Sequence, residues 1–297
     1  MPPSVSIAIP TFNRAVRLER ALQSALGQTH RDLEVVVSDN ASTDATAELL
    51  CGYAARDDRL RVVRQPENRG MVANLGAALA LTTGEHVMLL ADDDRLAPRC
   101  VEAAPAALAD DAGLAGALGQ VTYVRAGAPI QAGRPASLPQ PWPAQRVRAY
   151  FAAVDRDHGN TWIYALMPRR VLEGLSPMRN VIGFDWLRVA EMAYLGRVAV
   201  LTEPLLFREL GGASETTTRN VSESGLPALH AKVPHLVIAG EVAAQIGWRS
   251  AVFAPAGRRA RLALGAACAA GIPARNLRHV AFHLAPDAVQ RRWHARA

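Results

Sequence analysis

Three consecutive carboxylates, Asp92, Asp93 and Asp94, follow the apolar run HVMLLA at 86–91. Like charges at that spacing repel one another unless water or a cation compensates them, and Mg2+ or Mn2+ suits carboxylate oxygens. Mg2+ takes one or two protein carboxylates and fills its octahedron with phosphate oxygens and water, so a small acidic cluster fits a metal carrying a diphosphate. The alternative is a solvated acidic turn in which Asp94 caps a helix around 98–108. Two further apolar runs also end in polar residues: SVSIAI leads into Pro10, Thr11, Phe12 and Asn13, and LEVVVS into Asp39 and Asn40. Taken alone, Asp39 reads as a turn or helix-cap residue as well as a ligand-binding one. The first of these turns lacks glycine, so neither GxGxxG nor GxxxxGK[ST] is present, and hydride transfer and P-loop chemistry are poor matches.

The elements that position these residues alternate. Strands are expected at 4–9, 33–38, 60–64 and 86–91, and helices at 14–27, 44–55 and 71–82, which is an α/β domain with a largely parallel sheet. Leu18, Leu22 and Leu26 give the first helix an apolar face, Gly27 stops it, and Ser42 or Thr43 is placed to cap the second. In open α/β sheets ligands bind beyond the carboxyl ends of the strands, where the polar strings lie. Residues 125–145 carry five prolines and read as a loop or lid. Helices are expected at 146–154 and 185–195, a strand at 197–202, and a polar stretch at 204–225. A boundary near 215 precedes helical patterns at 228–247 and 257–271.

The composition is globular: half of the 297 residues are hydrophobic and a fifth are charged. The net charge of +6 suggests nucleic acid, but its distribution does not. Residues 251–297 carry +7 and the rest of the chain −1, and Lys232 is the single lysine. Cys51, Cys100 and Cys268 are odd in number and far apart, so neither a disulfide framework nor a zinc site is indicated and a reducing, cytoplasmic setting is expected. The N-terminus has no signal-peptide pattern, and no apolar run approaches the length of a membrane span.

The order PTFN, SDNASTDAT, NRGMVANLGAAL, TTGEHVMLLADDD resembles the nucleotide-binding half of family 2 glycosyltransferases of GT-A fold, closely over residues 4–100 and more weakly to about 215. The resemblance implies a GT-A-like, Rossmann-type mixed sheet, mainly parallel and flanked by helices, with an α-helical C-terminal appendage. Residues 1–215 would form the transferase domain, divided into a nucleotide-binding half at 1–124 and an acceptor-side half at 125–215, and 216–297 the helical region. By the same resemblance Pro10, Thr11 and Phe12 line the base, and Asn13 closes that turn. Asp39 accepts a ring N–H of uracil or thymine, and Asn68 and Asn74 lie near the nucleotide and donor sugar. Gly70 keeps the approach open. Asp92 matches the ribose-contacting position and Asp93 the metal ligand. Many members read Asp-x-Asp-Asp where this chain reads Ala91-Asp92-Asp93-Asp94; alignment on Leu90 and Pro98 selects Asp93, with Asp92 and Asp94 the other choices.

Residues 181–212 resemble the acceptor-side block of the family, with Phe184 in place of a glutamate. Asp185 matches the catalytic aspartate, and its bland reading is an N-cap for a helix beginning at Trp186. Flanking Phe184 and Trp186 would desolvate it and make it a better base. Arg208 matches a position near the active site that offsets diphosphate charge. The implied activity is inverting transfer of a sugar from a UDP- or dTDP-sugar to a hydroxyl or amine, with Mn2+ or Mg2+ as cofactor. The acceptor is a glycan, a lipid-linked molecule or a small molecule. A nucleotidyltransferase and a non-catalytic nucleotide-sugar-binding subunit are the alternatives. Nucleic acid is not an expected partner. The basic C-terminal helices read as a contact for the inner face of a membrane, for a second copy, or for an acidic acceptor.

Overall fold

The computed structural model describes residues 4–133, 135–154, 160–210, 221 and 224–275. Alternating apolar and helical stretches give β1 (Val5–Thr11), α1 (Ala15–Leu26), β2 (Leu33–Asp39), α2 (Thr46–Ala54), β3 (Leu60–Arg64), α3 (Met71–Ala80) and β4 (His86–Leu89). They build a sheet in the order β3-β2-β1-β4-β8, parallel throughout except for β8 (Met167–Pro168), which runs antiparallel to β4. Ile7 pairs with Val35 on one side and Met88 on the other. The central strands read as continuous apolar runs because both faces are covered. Leu18, Ala21, Leu22, Ala25 and Leu26 of α1 are buried. Each fully buried side chain of leucine size contributes about 1.5–3 kcal/mol. Asp44, and neither Ser42 nor Thr43, meets the free amide at the start of α2, accepting from Thr46 N at 3.0 Å.

A second sheet follows the order β5-β9-β6-β7, from β5 (Arg95–Leu96), β6 (Leu114–Arg125), β7 (Ala128–Ala132) and β9 (Arg197–Glu209). Its strands depart from the sequence reading in two places. The segment expected as a loop or lid contains β7, an exposed edge strand paired with β6; a proline is tolerated there because an edge strand has one unpaired side. The strand expected to end at 202 continues to Glu209, accommodating Pro204 where its register with β6 shifts. Two glycines of β6 permit close packing: a Cβ at Gly119 would collide with the Leu205 side chain, and one at Gly116 would meet Met192 Sδ at 3.1 Å.

The remaining helices are α4 (Cys100–Asp110), α5 (Pro143–Ala153), α6 (Arg169–Gly174), α7 (Phe184–Leu195), α8 (Leu229–Lys232), α9 (Pro234–Ala244) and α10 (Arg258–Arg275). The pattern expected at 228–247 is thus two helices, broken before Pro234, a residue suited to the first turn of a new helix. One apolar core packs on the first sheet and continues to β5, β6 and β9 of the second. A second joins Val147 and Phe151 of α5, Met192 of α7, Ile238 and Val242 of α9, and Leu264, Cys268 and Ile272 of α10, so the C-terminal helices share the core of the preceding region. The expected boundary near 215 and the basic residues after 275 lie outside the described residues. Cys51 and Cys100 are free thiols, and burial pushes that of Cys100 up to about 12. Among the described residues no helix is long and apolar enough to cross a membrane.

Candidate functional site

The carboxyl ends of β1, β2 and β4 bring the polar strings together. Thr11, the last residue of β1, donates from Oγ1 to Asp92 Oδ2 at 2.8 Å. Arg14 Nη1 donates to Asp92 Oδ1 at 3.2 Å and to Asp93 Oδ2 at 3.0 Å, and Arg17 Nη1 lies 3.6 Å from Asp93. The clustered carboxylates are therefore compensated by two arginines of the first helical turn. Burial pushes Asp92 up to about 6, against the attraction of Arg14. Arg14 escaped the sequence reading although it directly follows PTFN; only the fold shows that the start of α1 faces the turn after β4.

Asn13 has a left-handed backbone (φ 54°), and its Oδ1 accepts from Thr43 N at 2.7 Å, fastening the first loop to the second. Asparagine tolerates that conformation better than most residues, which suits a turn without glycine. Asp39 is buried; Oδ1 accepts from Ser42 N at 3.0 Å, while Oδ2 has Arg64 Nε at 3.8 Å and no hydrogen bond among the described residues. Asn68 is exposed and its Oδ1 accepts from Asn40 Nδ2 and Gly70 N. Gly70, at φ 82°, turns the chain into α3. Asn74 is buried: its Nδ2 donates to the Thr11 and Ser38 carbonyls and its Oδ1 accepts from Ser38 Oγ, so it ties α3 to β1 and β2.

Asp94 points elsewhere. It does not cap α4; its Oδ1 accepts from Glu209 N at 2.9 Å, and its Oδ2 faces Arg208 Nε at 3.5 Å. Burial pushes its carboxyl up despite that arginine. The Arg208 guanidinium also lies 5.1 Å from the Tyr164 ring centre and 6.0 Å from that of Tyr123, a cation–π enclosure. Asp185 stands in the first turn of α7, one residue past its start and not at the N-cap, which is Gly183 (φ 77°), and its carboxyl meets the amides of Asp185 and Trp186 in that turn. Burial raises the Asp185 pKa, opposed by the Asn160 side chain, nearby backbone amides and Arg208.

Two cavities meet along Pro10, Met71 and Ala91. The first, about 290 Å3, is lined by Pro10, Thr11, Phe12, Arg14, Asn40, Asn68, Gly70, Asn74, Asp92 and Asp93. Phe12 is 38% exposed there, leaving a ring face open to stacking. Asp39 does not line it; its neighbour Asn40 does. The second, about 480 Å3, holds Asp185, Trp186 and Arg208. Among the described residues no three metal-ligating side chains cluster, so a protein-only metal cage is absent. What the first cavity offers is the Asp93 carboxylate, which with diphosphate oxygens and water fits the sparse coordination of Mg2+ or Mn2+.

A family model described as Glycosyl transferase family 2 matches residues 6–175. The GalNAc(5)-diNAcBac-PP-undecaprenol beta-1,3-glucosyltransferase of Campylobacter jejuni is 39% identical over 95 residues, which are 32% of this chain and 31% of that protein. Chondroitin synthase of Pasteurella multocida is 38% identical over 100 residues, 34% of this chain and 10% of that protein. The match thus spans less than a third of either relative. Among solved structures, S. aureus TarS 1-349 in complex with UDP-GlcNAc aligns with a TM-score of 0.57 at 18% identity, covering 84% of this chain and 73% of that one. Mannosyltransferase PcManGT from Pyrobaculum calidifontis, in complex with GDP-Man and Mn2+, gives 0.55 at 24% identity, covering 93% and 75%. At these identities the likeness is one of fold, the GT-A arrangement of a mainly parallel sheet flanked by helices.

Proposed function

The chain belongs to glycosyl transferase family 2, and from that premise we propose that it moves a sugar from a nucleoside-diphosphate sugar to an acceptor hydroxyl or amine, with Asp185 as general base. The observation that carries this reading is the place of Asp185: its buried carboxyl lies on the wall of a cavity that shares Pro10, Met71 and Ala91 with the polar pocket at Asp92 and Asp93. Residues 1–215 are taken as the transferase domain, with the nucleotide held by 1–124.

In this reading the base of a UDP- or dTDP-sugar stacks on Phe12, and Asp39, which lies behind the lining of the cavity but keeps Oδ2 without a hydrogen bond among the described residues, accepts its ring N–H. Asp92 takes a ribose hydroxyl. Asp93 would hold a divalent ion, which when bound supplies positive charge to the diphosphate oxygens of the leaving group. The acceptor oxygen or nitrogen attacks the anomeric carbon from the face opposite the diphosphate, the carbon–oxygen bond to the diphosphate breaks, and the acceptor proton passes to an Asp185 oxygen. One displacement inverts the configuration. Burial helps Asp185 by raising its proton affinity toward working pH.

A thermal-shift screen of UDP-, dTDP-, GDP- and CMP-sugars with and without Mn2+ tests the donor assignment, because a ligand that binds only the native state raises Tm, the more so the tighter it binds. Uridine or thymidine nucleotides should stabilise most. Stabilisation by none of the four would overturn the reading.

A further inference from the structure

The acidic pair of the polar pocket already has a counter-ion. Arg14 precedes α1, and its backbone is fastened on both sides: its N–H donates to Thr46 Oγ1 at 3.2 Å, and its carbonyl accepts from Arg17 N and Leu18 N in the first helical turn. From there the side chain reaches across to the turn after β4, where Nη1 spans Asp92 Oδ1 at 3.2 Å and Asp93 Oδ2 at 3.0 Å. That side chain is 16% exposed and the two carboxylates 10% and 11%, so salt and water screen the contact weakly. Arg17, three residues on and so on the same side of the helix, lies 3.6 Å from Asp93 Oδ2 and is 45% exposed. Asp92 Oδ2 takes the Thr11 hydroxyl, which leaves Asp93 Oδ1 as the oxygen of the pair without a hydrogen bond among the described residues. Two cations thus face two anions, on the same carboxylate that was assigned to a divalent ion.

Resting on the proposed function, we propose that Arg14 stands in for the divalent ion while none is bound. Its charge lowers the affinity of Asp93 for a cation that arrives alone, because a like charge already holds that carboxylate. It also lines the pocket and supplies positive charge of the protein's own, so a nucleoside diphosphate binds there in the absence of metal. Arg17 adds a smaller share from a more exposed position.

Titrations of the full chain at constant ionic strength test this with two probes: Mn2+ alone, followed by the spin resonance of the free ion, and UDP with a chelator present, followed by calorimetry. Arg14→Gln removes the charge and keeps a hydrogen-bonding head. It should tighten Mn2+ about tenfold and weaken metal-free UDP about tenfold, the low end of what one neighbouring charge does to the affinity of a carboxylate for a proton. Opposite signs are the mark of charge, since a variant that merely disturbed the loop would lose both affinities. Arg14→Lys should return both towards the wild-type values. Arg17→Gln decides the matter if Arg14→Gln does not fold: it should tighten Mn2+ about threefold, within the worth of an exposed ion pair. Mn2+ affinity unchanged or weakened in the folded glutamine variant would overturn the proposal. Failure of the underlying reading is a separate result: a wild-type chain that binds UDP neither with Mn2+ nor without it removes the nucleotide site itself, whereas UDP binding with unaltered Mn2+ affinity in the variants removes only the part given to Arg14.

Discussion

The two cavities share three residues and little else. On the nucleotide side nearly every polar group has a partner: Thr11 and Arg14 meet Asp92, Arg14 and Arg17 meet Asp93, and Asn74 ties three elements together. On the acceptor side the Asp185 carboxyl and the Asn160 amide that meets it face Ile163, Val181, Ile182 and Ile238, with Tyr164, Asn180 and Arg208 among the other lining side chains. The first region offers hydrogen bonds and charge from loops already fastened to one another, whereas the second mixes aliphatic walls with a few polar side chains.

Mutations should separate the two regions. Asp185→Asn carries the largest expected effect, a fall in transfer rate of about 10²–10⁴-fold, the usual worth of a general base; nucleotide affinity measured by calorimetry should stay within error, and an equal loss there would erase the division. Asp93→Ala should lower UDP affinity about tenfold in the presence of Mn2+ and less in its absence, the loss expected of a charged contact of ~1.5–3 kcal/mol. Arg14→Ala leaves Asp92 without its nearest cation and should destabilise the fold by about 1–3 kcal/mol in urea titrations. Unchanged stability would mean that water compensates those carboxylates.

The smallest effects concern pH. A base acts when deprotonated, so transfer falls as pH drops through its pKa. Because burial raises the Asp185 pKa, the acid limb of kcat should lie above the ordinary aspartate value of about 3.9. The same shift means that the native state holds this proton more tightly than the unfolded chain. Its favourable contribution is then complete below the unfolded pKa and is lost as pH rises through the folded one. Asp185→Asn should accordingly raise Tm at neutral pH and leave it unchanged near pH ~3. A Tm difference independent of pH would show that the carboxyl is solvated.

The gathering of the polar strings into one pocket was legible because they sit directly after strands, where periodicity and turn chemistry place them with little help from the rest of the chain. β1 to β4 and their helices lie within two residues of expectation at nearly every end. Asp185 was legible only through resemblance, since its neighbours read equally as a helix start. Arg14 and Asn160 were not, for a physical reason: their partners are 78 or 25 residues away in sequence, and side-chain direction is set by packing. β6 escaped for another. Its glycines and alanines give no alternation, and its strand identity comes from the close approach of β9 and α7 that those small residues allow.

The single lysine gives the molecule a practical handle. Lys232 is exposed at the end of α8, three residues before His235, which lines the wall of the larger cavity. An amine-reactive fluorophore therefore has one side-chain target in the whole chain, the α-amino group aside, and that target adjoins the compartment assigned to the acceptor. The same chemistry that in most proteins labels a dozen surface positions would here produce a nearly uniform reporter conjugate, whose emission could follow occupancy of that compartment without any engineered cysteine.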